Sequence, residues 1–320
     1  MSGARSSGPT RAAIVATAQE LIARGSRSFA AASRLFGRCE RERAWLLYAW
    51  CRACDDIADG QDHGHGMTPG DGPARLAEIT EKTEVALAGQ VVGDPAFDAL
   101  RLFAAEVKLP SALPRDLIAG FALDAAEWRP QTEQDLYQYC YHVAGVVGCM
   151  MALAMGVAPE DEATLDRACD LGLAFQLANI ARDVGEDARA GRCYLPQEWL
   201  DAAGIAADDL LAPQYREALG RLGVRLAERA AAYEASARYG TPALSFRSAW
   251  AVLAAADIYG GIARRVAALG PRAWDQRVTT SGAAKIAMIA RAWGQAQRRH
   301  TLYPPTVRDA TLWTRPRALL

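Results

Sequence analysis

Residues 171–187, LGLAFQLANIARDVGED, read as a helix turned inside out. Each residue of a helix advances about 100° around the axis, so residues three and four apart share a face. Gln176, Asn179, Asp183 and Asp187 are spaced three, four and four, and so form one thin polar stripe. Leu171, Leu173, Ala174, Leu177, Ala178, Ile180, Ala181 and Val184 take most of the remaining circumference. A surface helix shows the opposite proportion, with a limited apolar stripe and a broad polar face. Two placements suit the pattern. Either the stripe alone meets solvent, or it faces an internal cavity. In both, other elements must wrap this helix on nearly every side.

Those elements are themselves helices. Between Gly and Pro joints the chain is rich in Ala, Leu, Arg and Glu, all good helix formers. No segment sustains a period of two, and no repeat of 20–50 residues is evident. Gly25, Gly37, Gly60, Gly89, Gly156, Gly191, Gly204, Gly240 and Gly270 are expected helix ends. Pro73, Pro95, Pro114, Pro159, Pro196, Pro213 and Pro242 mark expected starts. The expectation is a single all-α domain, residues 1–320, of about ten or more helices. Residues 1–12 and 301–320 are expected as flexible tails. The sequence GQDHGHGMTPGDGP, Gly60 to Pro73, is the one long flexible loop.

Composition excludes several classes. Charged residues are 23% with net charge −1, which argues against a nucleic-acid partner. A 51% hydrophobic share fits an ordered globular chain. Seven scattered cysteines suit a reducing compartment better than a disulfide framework. MSGARSSGPTR is no secretory signal, so the expected location is cytoplasmic, or peripheral at the inner face of the membrane. Tyr139–Ala158 has the length of a membrane span and no fixed charge. His142, the tyrosines and three internal glycines point instead to a closely packed central helix. CRAC, Cys51 to Cys54, lies within a helix and has no second pair, so zinc and redox readings are poor. No Gly-rich turn follows a strand, so no nicotinamide cofactor is expected.

A second polar stripe lies in YAWCRACDDIAD, where Tyr48, Arg52, Asp55 and Asp59 are spaced four, three and four. Alone it describes an ordinary amphipathic helix. Together with Asp183 and Asp187 it gives two DxxxD pairs. Carboxylates facing one space repel unless cations sit between them. Oxygen donors without an organised Cys or His cluster favour Mg²⁺, with Mn²⁺ as a substitute. Mg²⁺ shares its coordination with substrate phosphates, so a diphosphate is the expected partner. Arg52, Arg182, Arg189 and Arg192 supply planar donor forks for it. The last two sit in a loop position that suits a lid.

YAWCRACDDIAD, YCYHVAGVVG and LGLAFQLANIARDVGEDARAGRCYLP strongly resemble the squalene/phytoene synthase family, in its phytoene-forming bacterial branch. The resemblance runs from about Ser26 to about His300. It implies an isoprenoid-synthase-type helical bundle around a central apolar cavity, and Mg²⁺-dependent head-to-head condensation of two prenyl diphosphates. Two geranylgeranyl diphosphates are the expected substrates. The alternatives are a squalene or dehydrosqualene synthase using farnesyl diphosphate, and a non-catalytic helical assembly protein. By matching motif positions, the resemblance implies that Asp55, Asp59, Asn179, Asp183 and Asp187 hold the metal. Tyr48, Arg52, Gln176 and Arg182 would contact the diphosphates. Ser26, Ser28 and Phe29 would line the first substrate site, with Ser33 one turn deeper as an open pocket wall. Tyr141, Tyr259 and Arg277 are carried over as further substrate contacts. The long hydrocarbon product implies transient association with a membrane surface for delivery.

Overall fold

The computed structural model describes residues 9–25, 33–60 and 72–317. Within them every regular element is a helix. The N-terminal group comprises α1 (Arg11–Gly25), α2 (Arg38–Asp59), α3 (Gly72–Leu87), α4 (Pro95–Val107) and α5 (Ala112–Ala125). A nearly continuous rod follows: α6 (Glu133–Cys140), a π turn (Tyr141–Gly145) and α7 (Val146–Ala154). Then come α8 (Glu162–Arg189), α9 (Gln197–Ala203), α10 (Arg216–Arg238), α11 (Phe246–Leu269), α12 (Gly282–Gln297) and the single turn α13 (Arg299–Leu302).

Local chemistry sets the boundaries. Asp94 caps α4 ahead of Pro95, accepting from the Ala96 N–H. Thr132 and Asp135 form a reciprocal capping box at the start of α6. Gly60 and Gly204 end α2 and α9 in the left-handed conformation, φ 63° and 66°, which costs glycine little.

The rod is the middle of the molecule. One side packs on α2, α4 and α5, the other on α8. α8 packs in turn on α10 and α11, and α12 lies outside on α11. The expected wrapping of α8 is therefore found. No described helix is long and apolar enough to cross a membrane.

The glycines of the rod serve close packing between helices. A Cβ on Gly148 would lie 2.3 Å from the Ala168 carbonyl oxygen, and one on Gly172 would lie 2.3 Å from that of Ala144. The two backbones touch where both lack a side chain.

The C-terminal expectation is corrected. Beyond α13 the chain lies along α8 as a strap, pinned by charge rather than loose. Arg308 donates to Asp170 at 2.6 and 2.9 Å and to the Trp313 carbonyl at 2.7 Å. Arg315 is buried against Glu162 and Asp166, and the Trp313 N–H donates to the Tyr233 hydroxyl at 3.1 Å. Three acids on the back of α8 thus meet arginines from the strap, as burial of charge requires. The expected loop at Gly60–Pro73 lies mostly outside the described residues.

Candidate active site

α2 and α8 share no extensive packing among the described residues. Their polar stripes come together around Asp124, which feels Asp59 from one side and Arg192 from the other. Asp55 is accessible to water, yet protein surrounds it deeply enough to push its carboxyl up to about 6. Burial is the main cause, Arg52 opposes it, and Asp59, Asp56 and Asp124 add to it. A carboxylate that is both accessible and enclosed must line a cavity. Tyr48 stands half-buried one turn before Arg52, its hydroxyl against Gly25 at the end of α1. Arg52 donates to Asp56 at 2.5 Å.

On α8, Gln176 and Asn179 are half-buried, and neither side chain bonds another described residue. Asp183 receives both donors of the Arg182 fork, at 2.7 and 2.5 Å, and an ion pair from Arg277 at 3.2 Å. Arg277 also donates to Glu186 at 2.5 Å. Asp187 pairs with Arg192 at 3.3 Å. Burial raises the Asp187 carboxyl, against the pull of Arg192 and with the help of Asp183 and Glu186. Arg189 is exposed at the end of α8.

Gly185 has a specific purpose. A Cβ there would lie 3.1 Å from Trp274, whose indole N–H donates to the Ala181 carbonyl at 2.9 Å. Trp274 thus fastens the segment carrying Arg277 onto α8. Phe175 and Tyr259 stack with ring centroids 4.1 Å apart, placing two aromatic faces beside Arg182.

Asp124, at the end of α5, joins the two sides. It accepts from Tyr139 at 3.0 Å and Tyr194 at 3.3 Å, and those rings stack at 5.0 Å. Asp59 and Arg192 both act on its charge. Its carboxyl is raised, chiefly by burial. Sequence reasoning missed Asp124, Tyr139, Tyr194 and Phe175. Tyr139 was within reach of the YCYHVAG motif.

Two expected site residues are placed elsewhere. Tyr141 is 1% exposed and donates to Asp116 at 2.5 Å, packed near Trp313. Two helical positions separate it from Tyr139, so the two rings point to opposite sides. Ser33 is wholly buried and its Oγ accepts from the Trp45 indole at 3.0 Å. It braces a neighbouring helix rather than walling open space. Ser26, Ser28 and Phe29 lie outside the described residues.

Among the described residues no three His, Cys, Asp or Glu side chains converge for a metal. The donor set nevertheless fits Mg²⁺. Asp55 and Asp187 are acids whose charge burial disfavours, in a recess offering only oxygen donors, and a divalent cation relieves that cost. A separate cleft of about 620 Å³ between α6, α10 and the strap lies away from these stripes, and its Glu133 is already held by Arg225, Arg229 and Tyr137.

An all-helical body holding two acidic, arginine-flanked stripes across a recess defines a class that handles diphosphates. The chain belongs to the squalene/phytoene synthase family, whose sequence model matches residues 22–284. Among its relatives is the 15-cis-phytoene synthase of Enterobacter agglomerans, 49% identical over 91% of this chain and 99% of that one. The 15-cis-phytoene synthase of Pantoea ananas is 46% identical over 93% and 97%. A dehydrosqualene synthase crystallised with a ligand superposes with a TM-score of 0.78, at 28% identity over 90% of this chain and 98% of that one.

Proposed function

We propose that this chain is a phytoene-forming prenyltransferase of carotenoid biosynthesis. It joins two geranylgeranyl diphosphates head to head, through a cyclopropyl diphosphate, and releases two diphosphates and two protons, one of each in either step. The carrying observation is 49% identity to a phytoene synthase across nearly all of both chains, alongside two complete acidic stripes facing one recess. A non-catalytic descendant would be expected to have lost metal carboxylates, and none is missing.

Asp55, Asp59, Asn179, Asp183 and Asp187 would hold Mg²⁺, which supplies charge neutralisation of the departing diphosphate. Arg52, Arg182 and Arg277 offer forks to the same oxygens, exchanging their present carboxylate partners for phosphate. Tyr48 and Gln176 orient the substrate, and Arg189 and Arg192 stand at the rim. The stacked Phe175 and Tyr259 present π faces to an allylic cation. Val143, Val147, Met151 and Met155, spaced four apart on the rod and each half-buried, offer an apolar wall that keeps water from it. The hydrocarbon product then leaves for a membrane surface.

The test is direct. Purified chain with Mg²⁺ is given geranylgeranyl or farnesyl diphosphate separately, and the hydrocarbon is weighed by mass spectrometry. A C40 product from the C20 substrate is expected. A C30 product alone would place the chain with the dehydrosqualene synthases, and no hydrocarbon from either would defeat both readings.

A further inference from the structure

α11 and α12 are joined by a short connection, residues 270–281, which carries Arg277. One face of α10 receives it. Arg216, Gly220 and Gly223 are spaced four and three, and so lie in one row along that helix. Arg216 donates to Asp275 at 2.6 and 2.7 Å. A Cβ on Gly220 would lie 2.8 Å from the Pro271 nitrogen, and one on Gly223 would lie 3.0 Å from the Trp274 ring. Gly185 of α8 leaves room for the same tryptophan from the other side. The indole is therefore seated between two helices, and its one polar atom is spent on the Ala181 carbonyl.

Arg277 stays half-exposed among these anchors, with Ala273 and Val278 buried before and after it. Its partners are Asp183 at 3.2 Å and Glu186 at 2.5 Å. Trp274 touches α8 at Ala181 and Gly185, each within two residues of one of those acids. A guanidinium on a free loop loses conformational freedom when it holds a ligand, and one on an anchored segment has lost it already. Arg182 offers a fork from α8 itself. Arg277 offers one from outside the helix, and where it reaches is set three residues earlier, by the seat of the indole.

We propose that Trp274 is a positioning residue of this site. Lodged between α8 and α10, it holds the Arg277 guanidinium where a diphosphate can replace Asp183 and Glu186 as its partner. The proposal rests on the reading of the site as one for diphosphates, and its test separates the two.

Inorganic pyrophosphate with Mg²⁺ is titrated into the purified chain by calorimetry, well below the melting temperature of each variant. Trp274→Phe keeps an aromatic ring and removes the N–H. Gly223→Ala crowds the indole from α10, a helix that carries no residue of the acidic stripes. Each is expected to weaken pyrophosphate binding about tenfold or more. Neither should weaken it further in an Arg277→Ala background, because the effect runs through that guanidinium. A loss that persists in the Arg277→Ala background would make Trp274 a general prop of the fold, and overturns the proposal. So does unchanged affinity in both variants of a chain whose wild type binds pyrophosphate. A wild type that binds none overturns the diphosphate reading and the proposal together.

Discussion

At the residue scale, arginines already hold the carboxylates that the proposed metal would need. Asp183 is held by Arg182 and Arg277. Asp183→Asn removes a charge that both the cation and these arginines need. Turnover should fall by about 100-fold or more while the helical circular dichroism is unchanged. Excess chelator should abolish turnover of the wild type, and added Mg²⁺ should restore it. Near-normal rates in either experiment would remove the metal from the scheme. Ser33 makes a different prediction. Ser33→Ala strips the Trp45 indole of its buried acceptor, so stability should drop by about 1 kcal/mol. Activities on C15 and C20 substrates should shift together, read as kcat/KM for each beside the melting temperature. The acidic stripes were legible in the sequence because helical period is a local property. Asp124 was not, since a single acid at a helix end has no periodic partner to announce it. Tyr141 and Tyr139 share one motif, and only the rod's packing tells which faces the recess.

At the scale of elements, the Gly and Pro joints gave most helix ends, because capping is written in a few neighbouring residues. Gly60, Gly89, Gly156, Gly191, Gly204 and Gly270 all adopt positive φ. What those signals could not convey is which backbone another glycine approaches. Gly145, Gly148 and Gly172 fasten the rod to α8, and the sequence told only that the rod is closely packed. Gly148→Ala should therefore destabilise by about 1–3 kcal/mol or more, since a fixed carbonyl oxygen occupies the space of the new methyl group. Urea unfolding would show a lower midpoint at unchanged slope. A neutral result would mean that the rod and α8 can part slightly without cost.

Across the whole molecule, the strap shows why a terminal segment can read as loose and yet be fixed. HTLYPPTVRDATLWTRPRALL has no helical period and two adjacent prolines. Its order comes from acids far upstream, which no local pattern reveals. Arg308→Ala should leave Asp170, wholly buried, without its cation and cost about 3–5 kcal/mol, measured by thermal or urea unfolding. A shift below 1 kcal/mol would show that Arg167 and Ser236 suffice for Asp170.

Arg308 and Asp170 are 138 residues apart. A ribosome adds about 5–20 residues each second, so α8 exists for roughly 7–30 s before its counterions are made. During that interval its buried acids have no cationic partner from the strap, and α8 lacks the contacts that hold it in the finished fold. The nascent chain must therefore wait, partly assembled and with its interior open, for a segment far downstream to emerge and close it. A ribosome stalled just upstream of Arg308 would carry a protease-sensitive α8, and one stalled beyond residue 317 with the strap free of the exit tunnel would not.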